Sequence, residues 1–290
     1  MKIITSLLIL FFSIFLSQMF AQEFDWQGHR GCRGLMPENS IPGFLKALEY
    51  DIQTLELDIV VSKDNELIIS HEPWFSELIC TMPDGTPVKG DSIHIINRNY
   101  NEIKTFDCGS RGNTRFPDQL KTATYKPSLL DMVIAVEQYC VEHQRKKPYY
   151  NIEIKSTEAW YGKLTPQPAA FVSLVIGKLR QLPIENRFNV QSFDINILKE
   201  VKKQAPEIVL AYLVENENTI QENIKALGFK PDIYSPYHLL LDSKKVKLLH
   251  KRKIKVIPWT VNDVETMKKL ILMGVDGIIT DYPNLIGVVK

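Results

Sequence analysis

The chain has 290 residues, with 35 Lys and Arg against 34 Asp and Glu and a hydrophobic content of 44%. A net charge near zero leaves no electrostatic footprint for nucleic acid, and the apolar content suffices for a sizeable core. Cys32, Cys80, Cys108 and Cys140 lie far apart with no CxxC pair, which speaks against a zinc or redox motif.

The chain opens with Lys2, an almost wholly apolar run from Leu7 to Leu16, and Ala21 after a small polar break. This pattern predicts an export signal over residues 1 to 21 and a mature chain from Gln22 to Lys290 with no stable membrane span, periplasmic or secreted. Met19 stands where a small residue is preferred, so an uncleaved anchor is the alternative. Without Lys2 the basic and acidic residues balance at 34 each. Export permits disulfides; four cysteines allow three full pairings, of which Cys80 with Cys108 is favoured because both fall in one irregular stretch, against buried free thiols.

From Trp26 onward, short β-branched runs alternate with amphipathic segments. Strands are predicted at Trp26 to Arg30, Thr54 to Val60, Tyr149 to Ile154, Asn189 to Phe193, Ile208 to Val214, Ile233 to Pro236, Lys255 to Thr260 and Gly277 to Thr280. Helices are predicted at Ser40 to Tyr50, Ser128 to His143, Pro168 to Leu182, Asn196 to Gln204, Glu217 to Leu227, Ser243 to His250 and Asp263 to Met273. Eight parallel strands with intervening helices imply an α/β fold of the TIM (β/α)8 barrel class. An open doubly wound sheet is the runner-up, but the first strand is not followed by GxGxxG.

Two stretches break the alternation. Leu57 to His71 reads as a hairpin; a turn centred on Asp64 and Asn65 would set His71 opposite Asp58. Glu72 to Pro127 is rich in Pro, Gly, Asn and Asp, and such a long insertion after a barrel strand is expected to form a cap over the active-site face. Trp74, Phe75, Ile79, Ile93, Ile95, Ile96 and Phe106 give it apolar material to bury.

In Leu55-Glu56-Leu57-Asp58-Ile59 the strand period of two puts both acids on one face. In Asn151-Ile152-Glu153-Ile154-Lys155 it adds a third carboxylate and a cation. Carboxylates crowded inside a barrel repel and suffer desolvation unless a cation compensates. An all-oxygen set without Cys suits magnesium or calcium better than zinc. A surface salt-bridged edge is the plainer reading of either strand alone. His29 and Arg30 end the first strand between Gly28 and Gly31, where small neighbours would let a ligand approach the backbone. His29 and His71, flanking the acids, suit a base and an acid about one reacting centre, with Arg30 and Lys155 neutralising phosphate oxygens.

HRGCRGLMPENS (His29 to Ser40), LELDIVVSKDNELIISHE (Leu55 to Glu72), NIEIK (Asn151 to Lys155), VQSFD (Val190 to Asp194), PWTVN (Pro258 to Asn262) and GVDGIITDYP (Gly274 to Pro283) together resemble the glycerophosphodiester phosphodiesterase family in order and spacing. The resemblance implies a TIM barrel with an insertion after the second strand. It implies magnesium or calcium on Glu56, Asp58 and Glu153, His29 as general base, His71 as general acid and Arg30 on phosphate. The implied reaction takes a small glycerophosphodiester to glycerol 3-phosphate and an alcohol. Glu38 is expected to orient His29 or Arg30, or to sit at a helix start that Asn39 could cap. Trp259 is expected to line the substrate pocket, against a core role. Glu72 departs from the family's usual Asp at that position but keeps the acid. A lysophospholipase D-like activity on lipid substrates and a non-catalytic exported phospho-ligand-binding protein are the alternatives; composition says nothing of oligomeric state.

Overall fold

The computed structural model describes residues 24–290, so the expected leader lies outside the described residues. The strands are β1 (Asp25–Gly28), β2 (Thr54–Val61), β3 (Leu67–Ile69), β4 (Tyr149–Ile154), β5 (Phe188–Ser192), β6 (Leu210–Val214), β7 (Ile233–Pro236), β8 (Lys255–Val256) and β9 (Gly277–Thr280). All but β3 pair in parallel in the order β8-β7-β6-β5-β4-β2-β1-β9. The seam between β8 and β9 is bridged by backbone bonds from Asp276 N–H to the Val256 carbonyl at 2.9 Å and from Ile279 N–H to the Pro258 carbonyl at 3.0 Å. The result is a (β/α)8 barrel, as the alternation predicts. β8 is shorter than the expected Lys255 to Thr260 because Pro258 has no N–H to give to a ladder.

Helices α1 (Ile41–Ala47), α2 (Tyr100–Ile103), α3 (Leu129–Glu142), α4 (Pro168–Leu179), α5 (Ile195–Gln204), α6 (Ile220–Leu227), α7 (Ser243–Lys251), α8 (Val264–Met273) and α9 (Ile286–Val289) follow from local signals. Ser40, Ser128, Asp194, Thr219, Asp242 and Asp263 cap α1, α3, α5, α6, α7 and α8 with side-chain oxygens, each cap contributing about 1 kcal/mol. The outward residues of β2 and β4, Leu55, Leu57, Ile59, Ile152 and Ile154, are fully buried in one core with Phe171, Val172 and Val175 of α4. Each such side chain stabilises the fold by about 1.5–3 kcal/mol. Among the described residues no helix is long and apolar enough to cross a membrane.

β3 pairs antiparallel with β2, confirming the hairpin, but the register is Ile59 with Ile69 and Val61 with Leu67. Ser70 therefore stands opposite Asp58, bonding its carbonyl at 3.0 Å, and His71 lies one residue beyond the expected place. The loop is the three residues Lys63 to Asn65, with Asn65 in the left-handed region at φ 60°, so the hairpin centres on Asp64 alone rather than between Asp64 and Asn65. The insertion has a core of its own: Phe75 stacks on Phe106 at 3.9 Å among Ile79, Val88, Ile95 and Ile103, joined to the barrel through Val60 and Ile68. Cys80 and Cys108 form a disulfide within it, and Cys32 and Cys140 are buried free thiols.

Candidate active site

The inward residues of β2 and β4 converge at the carboxyl end of the barrel. Glu56, Asp58 and Glu153 are all buried and offer oxygen atoms within 4.8 Å of one another. Burial pushes the Glu56 carboxyl well up, with Asp58 and Glu153 adding like-charge repulsion. Burial lifts Glu153 to about 7 against the pull of Lys155, whose Nζ is 2.9 Å away. Burial acts in the same sense on Asp58, but Arg30, His71 and Lys155, with a hydrogen bond from Asn39, hold it low. Three carboxylates so placed carry full charge together only with a further cation among them, and an all-oxygen donor set fits magnesium or calcium.

His29 and Arg30 occupy the turn after β1, tied down by His29 N–H to the Thr280 carbonyl at 2.8 Å and Arg30 N–H to Glu56 Oε2 at 2.9 Å. Arg30 and Asn39 have positive φ, 50° and 53°, a conformation that costs a non-glycine residue about 1–3 kcal/mol and is found where the surroundings over-determine it. Gly28 and Gly31 do not open the backbone to a ligand as expected. A Cβ on Gly28 would meet the Gly31 carbonyl at 2.3 Å, and one on Gly31 would meet the Gly43 backbone at 2.8 Å, so close chain packing requires them.

His29 Nδ1 lies 2.6 Å from Asp281 Oδ1. A carboxylate at that distance fixes the ring proton on Nδ1 and leaves Nε2, 3.9 Å from Glu56, as an acceptor. Burial lowers His29 to about 4 despite Asp281, so the ring is neutral at pH 7. His71 meets Glu72 Oε1 through Nδ1 at 2.8 Å. Burial works against the Glu72 charge, but His71 and then Lys126 hold the carboxyl down to about 2. Glu72, which stands where the family usually has Asp, thus reaches the histidine.

Arg30 pairs with Glu38 at 2.7 Å and approaches Asp58 at 3.3 Å. Glu38 is therefore the partner of Arg30, while the helix cap is Ser40, which accepts from Gly43 N–H; Asn39 instead donates to Asp58 at 2.8 Å. Trp259 lines the cavity, held by its indole N–H on the Ser235 carbonyl at 2.9 Å and edge-on to Phe193 at 5.3 Å. The cavity, about 120 Å3, is bounded by His29, Arg30, His71, Glu56 and Glu153 on one side and Phe193, Leu213, Trp259 and Ile279 on the other.

Asp281, Arg33, Gln191 and Lys126 join the site in addition to the residues expected from the sequence. Gln191 donates to Glu56 Oε1 at 2.8 Å, and Lys126, buried at the end of the insertion, donates to Ser70 at 2.8 Å. Asp281 had a readable signal: it follows the last strand of a closed barrel, which must lie beside the first, where His29 ends.

A model of the glycerophosphoryl diester phosphodiesterase family matches residues 29–285. A glycerophosphodiester phosphodiesterase from Caldanaerobacter subterraneus is 28% identical over 90% of this chain and 96% of its own length. The crystal structure of a candidate glycerophosphoryl diester phosphodiesterase from Silicibacter pomeroyi, 28% identical, superposes with a TM-score of 0.80 over 91% of this chain and 92% of that one. An Oleispira antarctica phosphodiesterase, solved with its product sn-glycerol-3-phosphate, shares the fold at 24% identity and a TM-score of 0.72, covering 91% and 96% of the two chains. With a match running from the histidine after the first strand to the segment beyond the last, this chain belongs to the glycerophosphoryl diester phosphodiesterase family.

Proposed function

We propose that the chain hydrolyses glycerophosphodiesters to glycerol 3-phosphate and an alcohol, with one divalent cation, magnesium or calcium, held by Glu56, Asp58 and Glu153. The observation that carries the reading is the buried acidic triad, two of whose members, Glu56 and Glu153, line one cavity with His29 and His71. When bound, the cation supplies charge neutralisation at the phosphate and relieves the repulsion among the three acids. Arg30 and Lys155 add fixed positive charge beside the non-bridging oxygens. Neutral His29, its Nδ1 proton held by Asp281, accepts a proton at Nε2 from the attacking hydroxyl. His71 in its protonated form, oriented by Glu72 and partly open to solvent, gives a proton to the alcohol oxygen as its bond to phosphorus breaks; His29 then releases its proton to solvent, from which His71 takes one up, and both return to their starting states.

A panel of glycerophosphodiesters assayed with magnesium, with calcium and with chelator, following glycerol 3-phosphate, tests this. Release that is lost with chelator and in folded His29→Ala and Glu56→Ala variants supports it; undiminished release in both variants refutes it. The alternative reading is a lysophospholipase D-like activity on lipid substrates, supported by a human lysophospholipase D, 24% identical over 97% of this chain, and by Phe193 and Leu239, 38% and 72% exposed in the segments after β5 and β7. Turnover of long-chain lysolipids in the same panel would establish it. Export to a periplasm or medium completes the proposal, supported by the apolar run Leu7 to Leu16 and the Cys80–Cys108 disulfide. Recovery of the protein only in the cytosolic fraction would contradict export.

A further inference from the structure

We propose that Arg33, gripped by residues 116–119 of the insertion, is a positioning residue that fixes Asp281 and through it the imidazole of His29; the kinetic part of this proposal rests on the hydrolytic reading above. Arg33 donates through Nε to Asp281 Oδ1 at 2.9 Å and through Nη2 to Oδ2 at 3.0 Å. The other donors to the carboxylate are His29 at Oδ1, 2.6 Å, and Asn262 at Oδ2, 2.7 Å. A planar fork defines the plane of the carboxylate it binds, which an ammonium does not. The orientation of Asp281 in turn sets which ring nitrogen of His29 carries the proton and where Nε2 points.

Arg33 is itself held from the insertion. Its guanidinium lies over the Phe116 ring at 4.8 Å, and the Gln119 amide donates to the Arg33 carbonyl at 2.7 Å. Leu120 N–H bonds the Leu35 carbonyl at 2.9 Å, and Phe116 meets Tyr282, the neighbour of Asp281, edge-on at 6.3 Å. Phe116 and Gln119 are buried, at 8% and 6% exposure. The insertion therefore clamps the residue that orients the base. Arg33 borders the cavity, but its two bonded nitrogens already face Asp281, which separates this role from phosphate binding.

The test uses the full chain with magnesium, glycerophosphocholine as substrate, and nitrogen-15 NMR of the His29 ring. In the wild type the His29 proton is expected on Nδ1. Arg33→Met is expected to lower kcat by about 10–100-fold, with KM changed by no more than about twofold, and to give mixed His29 tautomers. Arg33→Lys, which keeps the charge and loses the fork, is expected to fall between. Phe116→Ala should move both readouts the same way by less, and carries the test if Arg33→Met does not fold by circular dichroism. An unchanged tautomer with unchanged kcat in a folded variant, or a rise in KM alone, overturns the proposal. Wild-type protein without turnover would defeat the hydrolytic reading, while the ring NMR would still decide the role of Arg33.

Discussion

Inside the barrel, β1, β2, β4 and β5 present amides and acids, whereas the side running from β6 to β9 gathers Ala211, Ile233, Ile257 and Ile279. On the polar side Asn189 donates to Asn151, Asn151 to Gln27 and Gln191, and Gln191 to Glu56, a chain of bonds between 2.6 and 3.0 Å that ends at the acidic triad. A buried amide without a partner costs about 1–3 kcal/mol, so this side is tolerable only because the chain is continuous. The apolar side needs no such network and contributes packing. One half of the interior thus presents the acidic triad at a cost in stability, and the other half offsets that cost by packing.

Substitutions should separate the halves. His29→Ala is expected to lower kcat/KM by roughly 10³–10⁴-fold with little change in melting temperature, read by steady-state assay and thermal denaturation. On the other side, Ile257→Ala should cost about 2–5 kcal/mol in denaturant unfolding while leaving kcat nearly unchanged below the melting point. Asp281→Asn should lower kcat by about 10–100-fold, because an amide can turn its NH2 toward Nδ1 and force the wrong tautomer.

The smallest effect concerns the free acids. In chelated protein Glu153 has its folded pKa raised, chiefly by burial, from 4.5 to about 7. A raised carboxyl contributes stability that is present below about pH 4.5 and is lost as pH rises toward 7. Glu153→Gln should remove that loss and raise the chelated protein's melting temperature at pH 7 by a few degrees, on the order of 2–4 °C per kcal/mol. A variant less stable than wild type throughout this window would contradict the picture of a buried triad that is short of one cation.

The polar half was legible where a single strand carries the information. Alternation in Leu55 to Ile59 and Asn151 to Lys155 gives the facing of Glu56, Asp58, Glu153 and Lys155, and their carboxylates and ammonium do meet in the structure. The hairpin was legible as a hairpin, but its register turned on Asn65 adopting positive φ, which Asn permits without requiring. Asn39 read as a cap because a polar residue before a helix commonly is one; its positive φ sends the side chain to Asp58 instead, and Ser40 takes the cap. Arg33, Gln191 and Lys126 act across segments distant in sequence, so their partners become visible only when the strand ends and the insertion are in place.

The central claim, that the acidic triad is a divalent-cation site, is tested most directly by calorimetric titration of magnesium and of calcium into chelated wild type and Glu56→Gln, with folding checked by circular dichroism. One cation bound per wild-type chain, with affinity reduced by about 10-fold or more in the folded variant, is the predicted result. Equal affinity in both proteins, or no binding of either ion to the wild type, would contradict it.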